Sequence, residues 1–121
     1  MKIDLDQFRD AFFEEAAEHI ARIESALLEL EERPDDQELL NDIFRAAHSI
    51  KGASGTFGFT DVAGFTHVLE NLLDHLREGR VRFDHALGDL LLRANDVLKE
   101  LISAAKVGAD APAEMEEVMA D

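Results

Sequence analysis

Apolar residues return every three or four positions along most of this chain, and no stretch alternates every second position. That period marks amphipathic helices, not strands. Phe8, Phe12, Ala16, Ile20, Ile23, Leu27 and Leu30 form one stripe, which predicts a helix over about 6–32. Pro34-Asp35-Asp36 breaks it, and either aspartate can cap the next helix. Leu39, Ile43, Ala46, Ile50, Ala53 and Phe57 predict a second helix over about 37–57, loosened at its end by Gly55 and Gly58. Thr60 or Asp61 can cap a third, over about 60–79, whose stripe of Val62, Phe65, Leu69, Leu72, Leu73 and Leu76 stops at Gly79. Asp84 caps a fourth, over about 84–107, carrying Leu87, Leu90, Leu91, Ala94, Val97, Leu98, Leu101 and Ile102. Pro112, after Asp110-Ala111, predicts a short fifth helix over about 111–120 with Met115, Val118 and Met119.

Long helices joined by a few residues favour antiparallel neighbours. The expected fold is therefore all-α: an antiparallel up-and-down four-helix bundle with a short additional C-terminal helix. No repeat or second domain shows in the 121 residues, so 1–121 reads as one domain. A new helix opening so near the last residue leads us to expect a fragment of something longer.

Composition adds exclusions. Twelve Lys and Arg stand against 27 Asp and Glu, a formal charge of −15. Such a surface repels nucleic acid and anionic lipid, so neither is an expected partner. The absence of cysteine excludes a disulfide framework, a thiolate metal site and a cysteine nucleophile. No apolar run approaches the ~18 residues of a membrane span. The opening Met1-Lys2-Ile3-Asp4-Leu5-Asp6 is too acidic for a signal peptide. We expect a cytoplasmic protein with no direct membrane insertion.

On a helical wheel the second stripe falls within about 40° of the pole opposite His48, so His48 points away from the core. Around it stand Phe44, Arg45, Lys51, Gly52 and Gly55. Glycine inside a helix costs about 1 kcal/mol against alanine. Two of them beside one histidine leave a bare strip of backbone, open to a bulky partner. On the third helix, His67, Glu70 and Asp74 follow at spacings of three and four. An antiparallel third helix brings Glu70 near His48. A carboxylate accepting from Nδ1–H would leave Nε2 as a free nucleophile. The spacing alone leaves Glu70 equally readable as a solvated helix residue.

The string Phe44-Arg45-Ala46-Ala47-His48-Ser49-Ile50-Lys51-Gly52 resembles the phosphoacceptor motif of histidine phosphotransfer (HPt) domains, H-x-x-K-G-x5-G, matched by His48, Lys51, Gly52 and Gly58. Thr56-Phe57-Gly58-Phe59 and His67-Val68-Leu69-Glu70-Asn71-Leu72-Leu73-Asp74 extend the likeness to the amino-terminal domain of CheA-type chemotaxis histidine kinases. The resemblance implies that His48 takes a phosphoryl group from a kinase catalytic domain, in cis or in trans. It also implies transfer onward to an aspartate of a chemotaxis response regulator. Glu70, Lys51 and His67 match the assisting residues. ATP and magnesium would belong to the kinase domain, and this domain would bind no cofactor or metal. It would be a carrier with no catalytic activity alone, a piece of a larger kinase. Phe44, Arg45, Gly52 and Gly55 would meet the partner, Phe44 as an exposed apolar anchor. Many relatives carry a second glycine after the lysine; here that residue is Ala53.

Two other readings compete. Di-metal bundles use inward Glu-x-x-His pairs, but no histidine here has glutamate three positions before it. A plain helical interaction module accounts for the stripes and the acidity, and leaves the glycines beside His48 unexplained.

Overall fold

The computed structural model describes residues 5–79 and 82–107. They form four helices and, among the described residues, no strand: α1 (Leu5–Glu32), α2 (Gln37–Thr56), α3 (Thr60–Arg77) and α4 (His85–Val107). The short helix expected over 111–120 lies outside the described residues.

Local chemistry sets most of the boundaries. Asp36 is the N-cap of α2, its carboxylate accepting from the backbone N–H groups of Glu38 and Leu39. That satisfies two donors which a helix start leaves without partners. Asp84 accepts from the Leu87 N–H at 2.8 Å at the start of α4. Gly58 and Gly79 follow the ends of α2 and α3 with φ of 75° and 79°, a left-handed turn that glycine makes at little cost.

Neither Thr60 nor Asp61 caps α3. Its N-cap is Phe59, with no side-chain cap. Phe59 stacks with Phe57 and lies against Phe12 and Phe13, ring centroids 5.4–6.1 Å apart. Packing the partly buried Phe59 ring against this cluster outweighs a capping hydroxyl worth about 1 kcal/mol.

Each helix adjoins two others: α1 meets α2 and α4, and α3 meets α2 and α4, with no close backbone approach across either diagonal. Arg9 near the start of α1 donates to the Ala105 carbonyl near the end of α4, while Glu31 at the far end of α1 meets His85. Phe12 lies against Phe57, and Arg22 pairs with Asp42.

One core cluster runs through all four helices, with Ile23, Leu27, Leu30, Ile43, Ile50, Leu73, Leu91 and Leu98 essentially inaccessible. Truncating any of these to alanine is worth about 2–5 kcal/mol. Phe8 departs from the predicted stripe: it is 59% exposed, while Phe13 and Ala26 are buried in its stead. On α2 the buried surface is wider than one stripe. Leu40, Ala47 and Ser54 are buried as well, because α2 is covered by α1 on one side and α3 on the other. Ala53 and Phe57 are only partly buried.

Candidate functional site

Among the described helices the most extensive contact, between α2 and α3, carries one polar contact set. Glu70 is buried, its side chain 7% accessible, at a position where an unpaired carboxylate would cost several kcal/mol. Two donors from α2 meet it. His48 Nδ1 lies 2.8 Å from Oε1, and Lys51 Nζ donates to Oε2 at 2.5 Å. These residues meet because His48 and Lys51 are three apart on one helix, so both side chains reach the same turn of α3.

His48 itself is open, with 64% of its side chain accessible. The carboxylate accepts and cannot donate, so the proton sits on Nδ1 and the Nε2 lone pair is unused. No hydrogen bond to Nε2 forms among the described residues. The arrangement is a tautomer-fixed, solvent-facing imidazole backed by a buried anion and flanked by an ammonium. Such an imidazole can act as a nucleophile with positive charge beside it.

The neighbours sort into three kinds. Gly52 and Gly55 are exposed, and a Cβ placed on either would meet no atom within 4 Å. The bare strip predicted from the wheel is present. Arg45 is exposed and donates to Asp42 at 2.5 Å. Arg22 shares that aspartate, and the two guanidinium groups, Arg22 foremost, hold its carboxyl below the usual range. His67 is exposed and makes no hydrogen bond or ion pair with His48 or Glu70 among the described residues, so the structure does not bring it into the contact set.

Phe44 is not the open anchor that the wheel predicts. It is half-buried, with its ring stacked beside the His48 imidazole at 6.1 Å between centroids and 10° between planes. The Arg77 guanidinium covers it at 4.2 Å from the ring centroid. A wheel for α2 cannot include a side chain from α3, so it overstates the exposure. The spacing arguments for α2 and α3 give Arg77 no role. Its signal was the seven-residue step from Glu70, two turns along the same face of α3.

Among the described residues one group of three metal-ligand types lies close together, Glu31, His85 and Asp89, all exposed and with ligand atoms within 4.8 Å. His48 is not part of it.

Comparison with known proteins agrees with this geometry. The Hpt domain family model matches residues 7–108. The chain is 41% identical over 118 residues to the chemotaxis protein CheA of Bacillus subtilis strain 168, covering 98% of this chain and 18% of that protein. It is 45% identical over 106 residues to the chemotaxis protein CheA of Salmonella typhimurium, covering 88% of this chain and 16% of that protein. The chain thus spans less than a fifth of the length of these relatives. Among solved structures, the phosphorylated P1 domain of CheA3 in complex with CheY6 from R. sphaeroides superposes with a TM-score of 0.84 at 28% identity, covering 95% of this chain and 91% of that one. The CheA phosphotransferase domain from Thermotoga maritima gives 0.76 at 34% identity, covering 83% and 95%. With the family model matching most of its length, and an exposed histidine tied to a buried glutamate at the matched motif, the chain belongs to the Hpt domain family.

Proposed function

We propose that this chain is a phosphohistidine carrier of chemotaxis signalling, with His48 as acceptor. The observation that carries the reading is the Nδ1–Glu70 hydrogen bond on an otherwise exposed imidazole. Nε2 attacks the γ-phosphorus of ATP held with magnesium by a kinase catalytic domain, in cis or in trans. The N–P bond forms as the bond to the ADP oxygen breaks, and ADP departs with that electron pair. The Nδ1 proton stays where it is, and Glu70 stabilises the positive charge that grows on the ring. Lys51, one turn from His48, offers a point charge to the equatorial phosphoryl oxygens. In the second transfer an aspartate carboxylate of a response regulator attacks phosphorus, and the N–P electrons return to Nε2.

The R. sphaeroides complex, a phosphorylated P1 domain with CheY6, supports a receiver-type regulator as the partner. Gly52, Gly55, Arg45 and the half-buried Phe44 form the proposed docking strip, and His67, exposed on α3, is the proposed assisting residue. The end-to-end pairings of α1 with α4, α1 with α2, and α2 with α3 support an antiparallel up-and-down bundle. We read the chain as one domain of a larger cytoplasmic kinase. No helix among the described residues is long and apolar enough to cross a membrane.

Incubation with a CheA-type kinase domain and labelled ATP tests the reading. Wild-type chain gains an acid-labile, alkali-stable label, and His48→Gln gains none while staying folded. Labelling of His48→Gln at another histidine moves the site. No label on the wild type leaves the chain an interaction module.

A further inference from the structure

Phe44, His48 and Lys51 stand at i, i+4 and i+7 on α2, and Glu70, Asp74 and Arg77 at the same steps on α3. The two strips meet in reverse order. His48 and Lys51 take Glu70 at one end, and Phe44 takes Arg77 at the other. Half of this ladder is the phosphoryl site. The other half, Phe44 with Arg77, has no part in the chemistry described above.

One hydrogen bond at Nδ1 holds a single ring atom. The imidazole can still pivot about its Cβ–Cγ bond within the angular tolerance of that hydrogen bond, and that pivot swings Nε2 and its lone pair. In-line attack on phosphorus needs the lone pair along one direction, and small misplacements are costly. A flat ring lying nearly parallel to the imidazole, 10° between planes, opposes the pivot. Their centroid separation of 6.1 Å is within the range of interacting aromatic pairs. Phe44 is itself held. The Arg77 guanidinium is 4.2 Å from its centroid, well inside cation–π reach, and Asp74 pairs with that guanidinium at 3.5 Å.

We propose that Phe44, clamped by Arg77, is a positioning residue that sets the plane of the His48 imidazole and so aims Nε2. The use of that aim rests on the carrier reading, whereas the aim itself is measurable without phosphoryl transfer.

Two measurements on the full chain test it. Side-chain three-bond couplings and ring contacts by NMR report the range of the His48 χ2 angle. Phosphorylation by phosphoramidate, a small donor with no docking surface, reports the reactivity of Nε2 apart from partner affinity. In Phe44→Ala the χ2 angle averages over a wider range within the same well, so the Nδ1–H tautomer persists, and the phosphoramidate rate falls by roughly three- to tenfold. Phe44→Tyr keeps the flat face and stays within about twofold of wild type by the same reasoning. Arg77→Met, which fills similar space without charge, lies between the two. Phe44→Leu guards against a misfolded alanine variant: it fills the site without a flat face and behaves as alanine does. An unchanged χ2 range and a wild-type rate in both Phe44→Ala and Phe44→Leu overturn the proposal. Averaging without a slower reaction overturns it too, since the plane would then not matter. If the wild type takes no phosphoryl group while the couplings still respond to Phe44, the carrier reading fails and the positioning stands.

Discussion

Glutamine in place of Glu70 exchanges one oxygen for an amide nitrogen, and the outcome depends on which way the new amide turns. Glu70 now accepts from both His48 and Lys51. The amide has one acceptor for these two donors. A hydrogen bond to a charged group is worth about 1.5–3 kcal/mol and a neutral one about 0.5–1.5. The Lys51 ammonium therefore takes the oxygen, by a margin of about 1 kcal/mol or roughly fivefold. The amide NH₂ is left facing His48 Nδ1, which must then accept. Its proton moves to Nε2, and the nucleophilic lone pair is lost.

Glu70→Ala only releases the ring. It loses the charge-assisted bond at Nδ1, discounted to about 1.5 kcal/mol because 64% of the His48 side chain is open to replacement water. The expected rate is about tenfold below wild type. Glu70→Gln is expected about fivefold lower again, roughly fiftyfold in all. Adding Lys51→Met frees the amide oxygen to turn to His48, so the nitrogen shifts show Nδ1 protonated again, while the rate still lacks the Lys51 charge. The assay is the initial rate of labelling by kinase domain and ATP, with imidazole nitrogen shifts reporting the tautomer. A glutamine variant as fast as alanine or faster, with Nδ1 still protonated, refutes the reasoning.

Gly52→Gln is expected to lower regulator affinity while raising the melting temperature, since the site is open and glutamine is the better helix former by a few tenths of a kcal/mol; calorimetry with both readouts checks it. The Glu31 hydrogen bond, then Asp89, raises the His85 pKa above the usual value near 6.5. Its stabilisation is complete below about pH 6.5 and is lost as pH rises through the raised value, so the melting-temperature gap between wild type and His85→Gln narrows toward alkaline pH. Asn95 is buried on α4, and its Oδ1 finds no hydrogen-bond partner among the described residues, although Nδ2 donates to the Ile20 carbonyl. Asn95→Leu, with the same number of heavy atoms, is expected to stabilise the fold by about 1 kcal/mol in denaturant titration.

The stripes predicted four helices close to their observed limits, and Asp36, Gly79 and Asp84 act where the sequence places them. These features are legible because a period, a cap or a left-handed turn is decided within a few residues. What the sequence hides depends on the neighbours. Leu40, Ala47 and Ser54 are buried because α2 has two partners, and a wheel assumes one apolar face. Phe59 displaces Thr60 as cap because three other rings await it. The Glu70 pairing was reachable once an antiparallel neighbour was assumed, but not its depth of burial. Phe44 reads as exposed until Arg77 is seen above it. Asn95 looks like an ordinary polar position among leucines, and only the fold reveals its missing partner.

The placement of phosphorus on one nitrogen tests the carrier reading most directly. Chain phosphorylated by the kinase domain, with its histidine ring nitrogens labelled, gives a phosphorus–nitrogen coupling that identifies the atom bonded to phosphorus. With Nδ1 held by Glu70 at 2.8 Å, the expected signal is one coupling, to Nε2 of His48. A coupling to Nδ1 of His48, or to either nitrogen of another histidine, would contradict it.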